Sequence, residues 1–413
     1  MTSNKPSGLV DHFFRNEFGK TVSLLTARFG THHLELAEDS VQEALIQAMN
    51  SWRTGKIPEN PSGWIFRVAN NKMIDQLRRS QKVFYATQVP EETYETPLPA
   101  DDQGTDDMIR MMFACCNPKL STEYQIILTL KILGGLSIRE ISLALLKKEE
   151  TVAKAYTRAK KQFKAENIRL ELPNEHHIKD RINTVLKVIY LLFNEGYKSS
   201  EGDQLIRKDL CEEALRLNQL LLAKELTNTD SARSLIALIH FQSARFEARV
   251  DALGNSISLE HQDRSRWDAR HIDLGNRYLS SVENGERYTY FVQAAINGIH
   301  CDADDYQSTN WSYILTLYNH LYSISPNPIV ALNRIYPIAM VHGPEEALNA
   351  LQPLKTETSL RANHLLPATE AELYVQLRET EQAIASLKNA IQLCSNDRDR
   401  EFYQRKIKRL EVD

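Results

Sequence analysis

The chain has 413 residues, 42% hydrophobic and 25% charged, with 50 Lys and Arg against 54 Asp and Glu for a net charge of −4. That length allows two or three domains of ordinary soluble character, and the mild acidity excludes a protein that coats nucleic acid by charge alone. Five cysteines, with Cys115 and Cys116 adjacent and Cys211, Cys301 and Cys394 scattered, match neither a disulfide framework nor a zinc pattern.

No segment approaches eighteen uninterrupted apolar residues, and MTSNKPSGLVDHFF carries no basic n-region followed by an apolar core. A cytoplasmic protein without a membrane segment is expected. Charge is unevenly placed. Residues 1 to 168 hold 22 basic and 20 acidic residues, leaving 28 and 34 for residues 169 to 413.

The first helical pattern runs through Val10, Phe13, Phe14, Phe18, Val22, Leu25 and Phe29, and Gly30 ends it. A second spans about Leu34 to Trp52. It buries Leu36, Ala37, Val41, Ala44, Leu45, Ala48 and Trp52 and exposes Asp39, Gln42, Glu43 and Gln47. A loop with Pro58, Pro61, Gly55 and Gly63 follows. Next comes WIFRVANNKMIDQLRRS, which sets aromatic residues beside Arg67, Asn70, Asn71, Lys72, Arg78 and Arg79. Aromatics beside amides and cations suit unstacked single-stranded bases, although a surface helix with a core stripe shows the same composition.

Residues 86 to 107 contain seven acidic residues, no basic ones, and Pro90, Pro97 and Pro99, which predicts a linker. Two apolar helices, Met108 to Cys116 and Ser121 to Leu133, lead through Gly134 and Gly135 into LSIREISLALLKKEETVAKAYTRAKKQFK. There Ser137 and Glu140 form a capping-box pattern, and Thr151 is placed to cap a second helix after a short turn. Residues 147 to 164 carry seven basic and two acidic residues. A helix-turn-helix with a basic second helix is the footprint of a major-groove reader; taken alone, it also fits a helical hairpin with a solvated basic face.

The order of these parts resembles the bacterial sigma factors of the extracytoplasmic-function class, group IV of the sigma-70 family. AEDSVQEALIQAMNSW is similar to their region 2 helix that docks on the polymerase clamp, WIFRVANNKMIDQLRR to their strand-capturing helix, and the helix-turn-helix to their region 4. The resemblance implies an all-α protein that binds core RNA polymerase, at the clamp and flap of its large subunits, together with promoter DNA. By position, Asp39, Gln42 and Glu43 would meet the clamp. Phe66, Ala69, Asn71 and Lys72, with the loop from Lys56, would capture bases of the minus-ten element. Thr151, Lys154, Arg158 and Lys161 would face the minus-thirty-five element. Ala153 and Ala155 stand where many relatives have long donors, so readout there would lean on phosphates and shape.

Residues 169 to 413 exceed what such a factor needs. EEALNAL at 345 to 351 and EQAIASL at 381 to 387 repeat at an offset of 36, close to the period of a tetratricopeptide-type helical pair. LLFNEGY (191 to 197), the string from Gln262 to Asp268 and PIVALNR (328 to 334) resemble a sigma subgroup with a fused, regulatory C-terminal extension. The expected organisation is region 2 over 1–85, an acidic linker over 86–107, region 4 over 108–168 and a tetratricopeptide-like extension over 169–413. Asp263, Arg264, Arg266, Asp268 and Arg270 are expected to form a charge network. Neither His32, His33 and Glu35 nor His261 and Asp263 show the i, i+4 spacing of metal ligands, and no catalytic centre, metal or cofactor is expected. A regulatory protein or ligand on the extension remains open. So does a helix-turn-helix regulator that works without polymerase, although the Asp39, Gln42 and Glu43 face gives such a regulator no service.

Overall fold

The computed structural model describes residues 6–52, 57–81, 101–145, 147–197, 206–251, 256–394 and 397–411. It is built of α-helices throughout these residues, with a lone bridge between Val250 and Ser256. Among them, no helix is long and apolar enough to cross a membrane. Two compact units divide the chain: Met1–Ser200 with Arg207–Asn228, and Glu201–Ile206 with Thr229–Asp413.

In the first unit, α1 (Pro6–Phe29), α2 (Leu34–Trp52) and α3 (Pro61–Gln81) form a three-helix bundle. Its pin is aromatic: Phe14 stacks on Trp52 at 5.8 Å between ring centroids, and Trp52 meets Trp64 at 5.6 Å. Gly30 adopts φ +93°, a left-handed conformation suited to glycine, and so lets α1 turn sharply into α2.

Helix α4 (Asp101–Cys115) begins seven residues before the predicted Met108, inside the expected acidic linker. Aspartates in a first turn favour the positive end of the helix dipole, and Asp107 is buried against Arg110 at 3.1 Å. The remainder of the expected linker, residues 86–100, lies outside the described residues. Helix α5 (Thr122–Ile132) is central, with Ile127, Leu128, Leu130 and Ile132 nearly inaccessible and Gln125 and Thr129 buried beside them. Around it pack α6 (Ile138–Ala144), α7 (Glu149–Ala165) and α8 (Glu175–Tyr197), and α8 pairs with α9 (Lys208–Leu222). The expected boundary at residue 169 is therefore not a structural one: α8 and α9 belong to the same unit as the bundle and the helix-turn-helix. Four cysteines are buried free thiols, and Cys301 is half-buried.

The second unit is a run of paired helices. Helix α10 (Asp230–Ser243) is enclosed by α11 (Ala269–Ser280) and α12 (Thr289–Asp302), close enough that a Cβ on Gly275 would lie 2.7 Å from the Phe241 ring. Then come α13 (Trp311–Ile324), α14 (Pro328–His342), α15 (Pro344–Leu351), α16 (Leu365–Gln376), α17 (Thr380–Leu393) and α18 (Asp397–Leu410). Three hydrophobic clusters follow one another along this run, around Trp311, around Leu351 and around Leu387. The repeat at offset 36 coincides with α15 and α17, where Ala347 and Ala383, like Leu351 and Leu387, are buried. Of the expected charge network, Asp268 and Arg270 pair at 3.1 Å, and the other members act locally. Asp263 and Asp268 cap turns of their own chain, and Arg264 braces the carbonyl of Ala303 at 2.7 Å while lying over Trp267.

Small residues at 347 and 383 set how closely their helices approach neighbours. Ala383→Leu is expected to overpack the last cluster by about 1–3 kcal/mol, lowering the melting transition of the second unit. A calorimetric scan checks this, the transition of the first unit staying in place.

Candidate nucleic-acid interface

Helix α2 divides its circumference in two. Leu34, Ala37, Glu38, Ser40, Val41, Ala44 and Ala48 face inward, and Asp39, Gln42 and Glu43 face out. The outward row continues into Ile46 (58% exposed) and Met49 (50%), which sequence reading passed over. Their signal was available: both fall off the core stripe, at i+3 and i+6 from Glu43. The result is one exposed strip, acidic at its start and apolar at its end. Partial burial raises the Asp39 carboxyl above its ordinary range; Lys160 opposes this, and Glu35 and Glu43 add to it. Glu43 pairs with Lys72 of α3 at 2.8 Å.

On α3 the core stripe is Ile65, Phe66, Ala69 and Met73, all at most 5% exposed. Phe66 and Ala69 are thus core residues, contrary to the expectation that they capture bases. Packing of α3 on both α1 and α2 turns them inward. Arg67 and Asn71 are exposed on the same helix, Lys72 is half-buried against Glu43, and Ile57 in the preceding loop is 63% exposed. Lys56 lies outside the described residues.

The helix-turn-helix forms as the sequence predicts, with one change. Ser137 Oγ accepts from the Glu140 N–H at 3.1 Å, and the Ser137 N–H donates to Glu140 Oε2 at 2.7 Å, a complete capping box. Helix α7, however, starts at Glu149, so Thr151 sits inside its first turn rather than capping it. Val152, Ala155, Tyr156, Ala159 and Phe163 are buried; Thr151, Lys154, Arg158 and Lys161 share the exposed face. Ala155 therefore belongs to the core, and only Ala153 thins the reading face. Lys154 is paired with Glu150 at 2.5 Å, an exposed i, i+4 contact that a phosphate would readily displace.

The two sets of surfaces lie on one unit. Tyr156 donates to Glu38, and Lys160 bridges Glu35 at 3.1 Å and Glu38 at 3.2 Å while lying 4.9 Å from the Tyr156 ring centroid. Burial pushes the Glu38 carboxyl up, against Lys160 and Tyr156. Burial and the Glu38 charge raise the Tyr156 hydroxyl, which keeps it a donor. A second knot joins three segments: Arg15 of α1 reaches Glu140 at 3.0 Å and Asp209 of α9 at 3.6 Å, and Arg207 holds Glu140 and, at 3.1 Å, Asp209. Among the described residues, no group of three or more His, Cys, Asp and Glu could hold a metal ion.

Comparison with known proteins agrees with this layout. Residues 19–83 match Sigma-70 region 2, residues 110–163 match Sigma-70, region 4, and residues 181–283 match a family of unknown function (DUF6596). The chain belongs to the sigma-70 family. An uncharacterized protein of Rhizobium meliloti (strain 1021) is 34% identical over 339 residues, 78% of either chain. No solved structure matches. A sigma factor of this type, with a C-terminal helical extension, binds core RNA polymerase and promoter DNA and directs promoter-specific transcription; such factors are not enzymes. The family of unknown function spans both units, taking in most of α8, all of α9 and the helices through α11.

Burial works against the charged form of Glu140, but Arg15, the Ser137 N–H and Arg207 together hold its carboxyl at about 2. A carboxyl depressed on folding stabilises above its unfolded value near 4.5 and loses that contribution as pH falls through about 2. The shift corresponds to on the order of 3 kcal/mol. Urea midpoints of the sigma factor are expected to fall across this window, and Glu140→Gln to flatten the fall while lowering the midpoint at neutral pH.

Proposed function

We propose that this sigma factor docks on the polymerase clamp through the α2 strip of Asp39, Gln42, Glu43, Ile46 and Met49. The observation that carries this reading is that strip: three polar side chains and two large apolar ones, exposed in one row on a helix whose other side is core. Acidic groups would steer the approach, and the apolar end would supply area free of a desolvation penalty. Lysine replacing both Asp39 and Glu43 is expected to weaken core polymerase binding at least about 30-fold, or 2 kcal/mol, with the helical content unchanged. Co-sedimentation with core polymerase measures it, and undiminished binding would sink the clamp assignment.

The minus-ten element would be met by Asn71, Arg67 and Lys72, with Lys56 and Ile57 from the loop; Phe66 and Ala69 support that helix from within. The minus-thirty-five element would be met by Thr151, Lys154, Arg158 and Lys161. With one long donor missing at Ala153, these contacts lean on phosphate. Replacing Lys154 and Arg158 by Ala in the holoenzyme is expected to reduce the salt slope of promoter binding by about 2, nearly equally across promoter sequences. A strongly sequence-dependent loss would assign direct base contacts instead.

The C-terminal helical unit modulates activity in this reading, receiving a regulatory protein or ligand on its stacked helices. Its size and the exposed Tyr313, Ile329 and Leu365 support this. Truncation after Asn228, rather than at the start of the extension, is the informative cut, because α8 and α9 belong with the sigma regions. Run-off transcription by full and truncated chains should differ; equal yields would remove the modulatory role.

A further inference from the structure

We propose that α8 and α9 are an intramolecular clasp that holds regions 2 and 4 together in the free chain, so that loading on polymerase requires their separation. This rests on the sigma-factor reading and concerns how that activity is withheld.

Geometry sets the problem. Minus-ten and minus-thirty-five elements lie about 25 base pairs apart, about 85 Å of duplex at 3.4 Å per pair. In the first unit, α3 and α7 both touch α2, through Lys72 to Glu43 and through Lys160 to Glu38. Even with long side chains at both contacts, two helices that touch a common helix have axes within about 30 Å of each other, well short of that span. Neither reading face is covered; what the arrangement denies is their spacing.

Three independent sets of contacts hold it. First, Tyr156 and Lys160, on the side of α7 away from Lys154, Arg158 and Lys161, are bonded to Glu38 and Glu35 of α2, the latter one turn before Asp39 at the start of the docking strip. Second, the α5–α6 turn lies hard against α1: a Cβ on Gly19 would meet the carbonyl oxygens of Leu133 at 3.0 Å and Ile132 at 3.1 Å, and Gly135, at φ +61°, faces Arg15. A mid-helix glycine weakens a helix by about 1 kcal/mol against alanine, so Gly19 is unfavourable to region 2 alone and fits only the docked state. Third, the extension contributes the closing side chains. Arg207 and Asp209 complete the knot with Arg15 and Glu140, and α8 lays Val185, Ile189 and Leu192 beside Met112, Leu130 and Leu133. The close approach of the end of α8 to Arg207 needs Gly196, where a Cβ would lie 2.8 Å from the Arg207 carbonyl oxygen.

Gly19→Ala separates the alternatives, because it favours α1 as a helix and clashes with backbone that belongs to region 4. Arg207→Ala tests the extension without orphaning Glu140, which keeps Arg15. Spin labels at Gln47→Cys and Ala165→Cys, exposed on α2 and α7, report the separation by pulsed electron resonance in the full chain carrying Cys301→Ser. The free chain is expected to give one narrow, short distance that lengthens on adding core polymerase. Both variants are expected to broaden the distance without polymerase and to raise apparent core affinity about tenfold, the fraction of competent chain being the quantity changed. A broad distance in the unsubstituted chain, or variants that leave distance and affinity unchanged, overturns the clasp. Opened variants that bind no core at all overturn the sigma-factor reading and, with it, the meaning of the clasp. The distance measurement, made without polymerase, tells these outcomes apart.

Discussion

The Glu140 carboxylate is the junction on which the first unit depends. One oxygen closes the cap of α6 on its own backbone, and the other is shared by Arg15 from α1 and Arg207 from the turn before α9. A local device for starting a helix thereby fixes the relative placement of three segments separated by 125 and 67 residues. Half-buried ion pairs of this kind contribute less to the strength of an interface than to its geometry. The bulk of the adhesion comes from apolar surface: Ile127, Leu128, Leu130 and Ile132 of α5, and α8 packed on that helix. Gly19 and the glycines of the α5–α6 turn let that surface close to backbone contact. Charge selects the register, and burial holds it.

What could be read from the sequence was whatever is encoded within a single helix. The period of α2, the capping box at Ser137 and Glu140, and the split of α7 into buried Val152, Tyr156 and Phe163 against exposed Lys154, Arg158 and Lys161 all follow from spacing. The repeat at residues 345 and 381 does too, since the same Ala and Leu positions are buried in α15 and α17. What could not be read was the choice of partner. Phe66 and Ala69 look available on a helical wheel of α3, but a helix packed on two neighbours has two inward sides, and the second takes both residues. The acidic run was read as linker to its end because charge density is averaged over a window, whereas aspartates at 101 to 107 also suit the start of a helix. The attachment of α8 and α9 to the sigma regions left no pattern except single glycines and arginines, each of which has commoner explanations.

The first unit uses its two central helices twice. Helix α2 turns Glu35 and Glu38 toward α7 while it presents Asp39, Gln42, Glu43, Ile46 and Met49 to solvent; α7 turns Tyr156 and Lys160 toward α2 while it presents Lys154, Arg158 and Lys161. Neighbouring positions on a helix diverge by about 100°, so successive residues such as Glu38 and Asp39, or Lys160 and Lys161, can serve different neighbours. In this closed state the acidic edge of α2 occupies one of the cations of α7, as a phosphate would, and part of the local positive charge is neutralised from within. The weak net basicity of residues 1 to 168 is thus a property of the folded unit as well as of its composition.

This division has a kinetic consequence. An inhibitor that covered the docking strip would have to leave before polymerase could bind, and loading would be limited by its rate of departure. Here Ile46 and Met49 of α2 are open, so in the proposed docking the clamp would engage them while α7 is still held by Glu38, and the binding free energy of the first contact would be applied to separating the second. Clasps of this form oppose loading only by the free energy of their own contacts. That free energy is mostly buried apolar contact of α5 and α8, adjusted by a hydroxyl and a lysine on one side and two arginines on the other, so small changes at either site move the balance. The extension enters through Arg207 and Asp209 at the second site and through the apolar face of α8, so the residues of α3 and α7 that the proposed promoter contacts would use stay unaltered once the regions part.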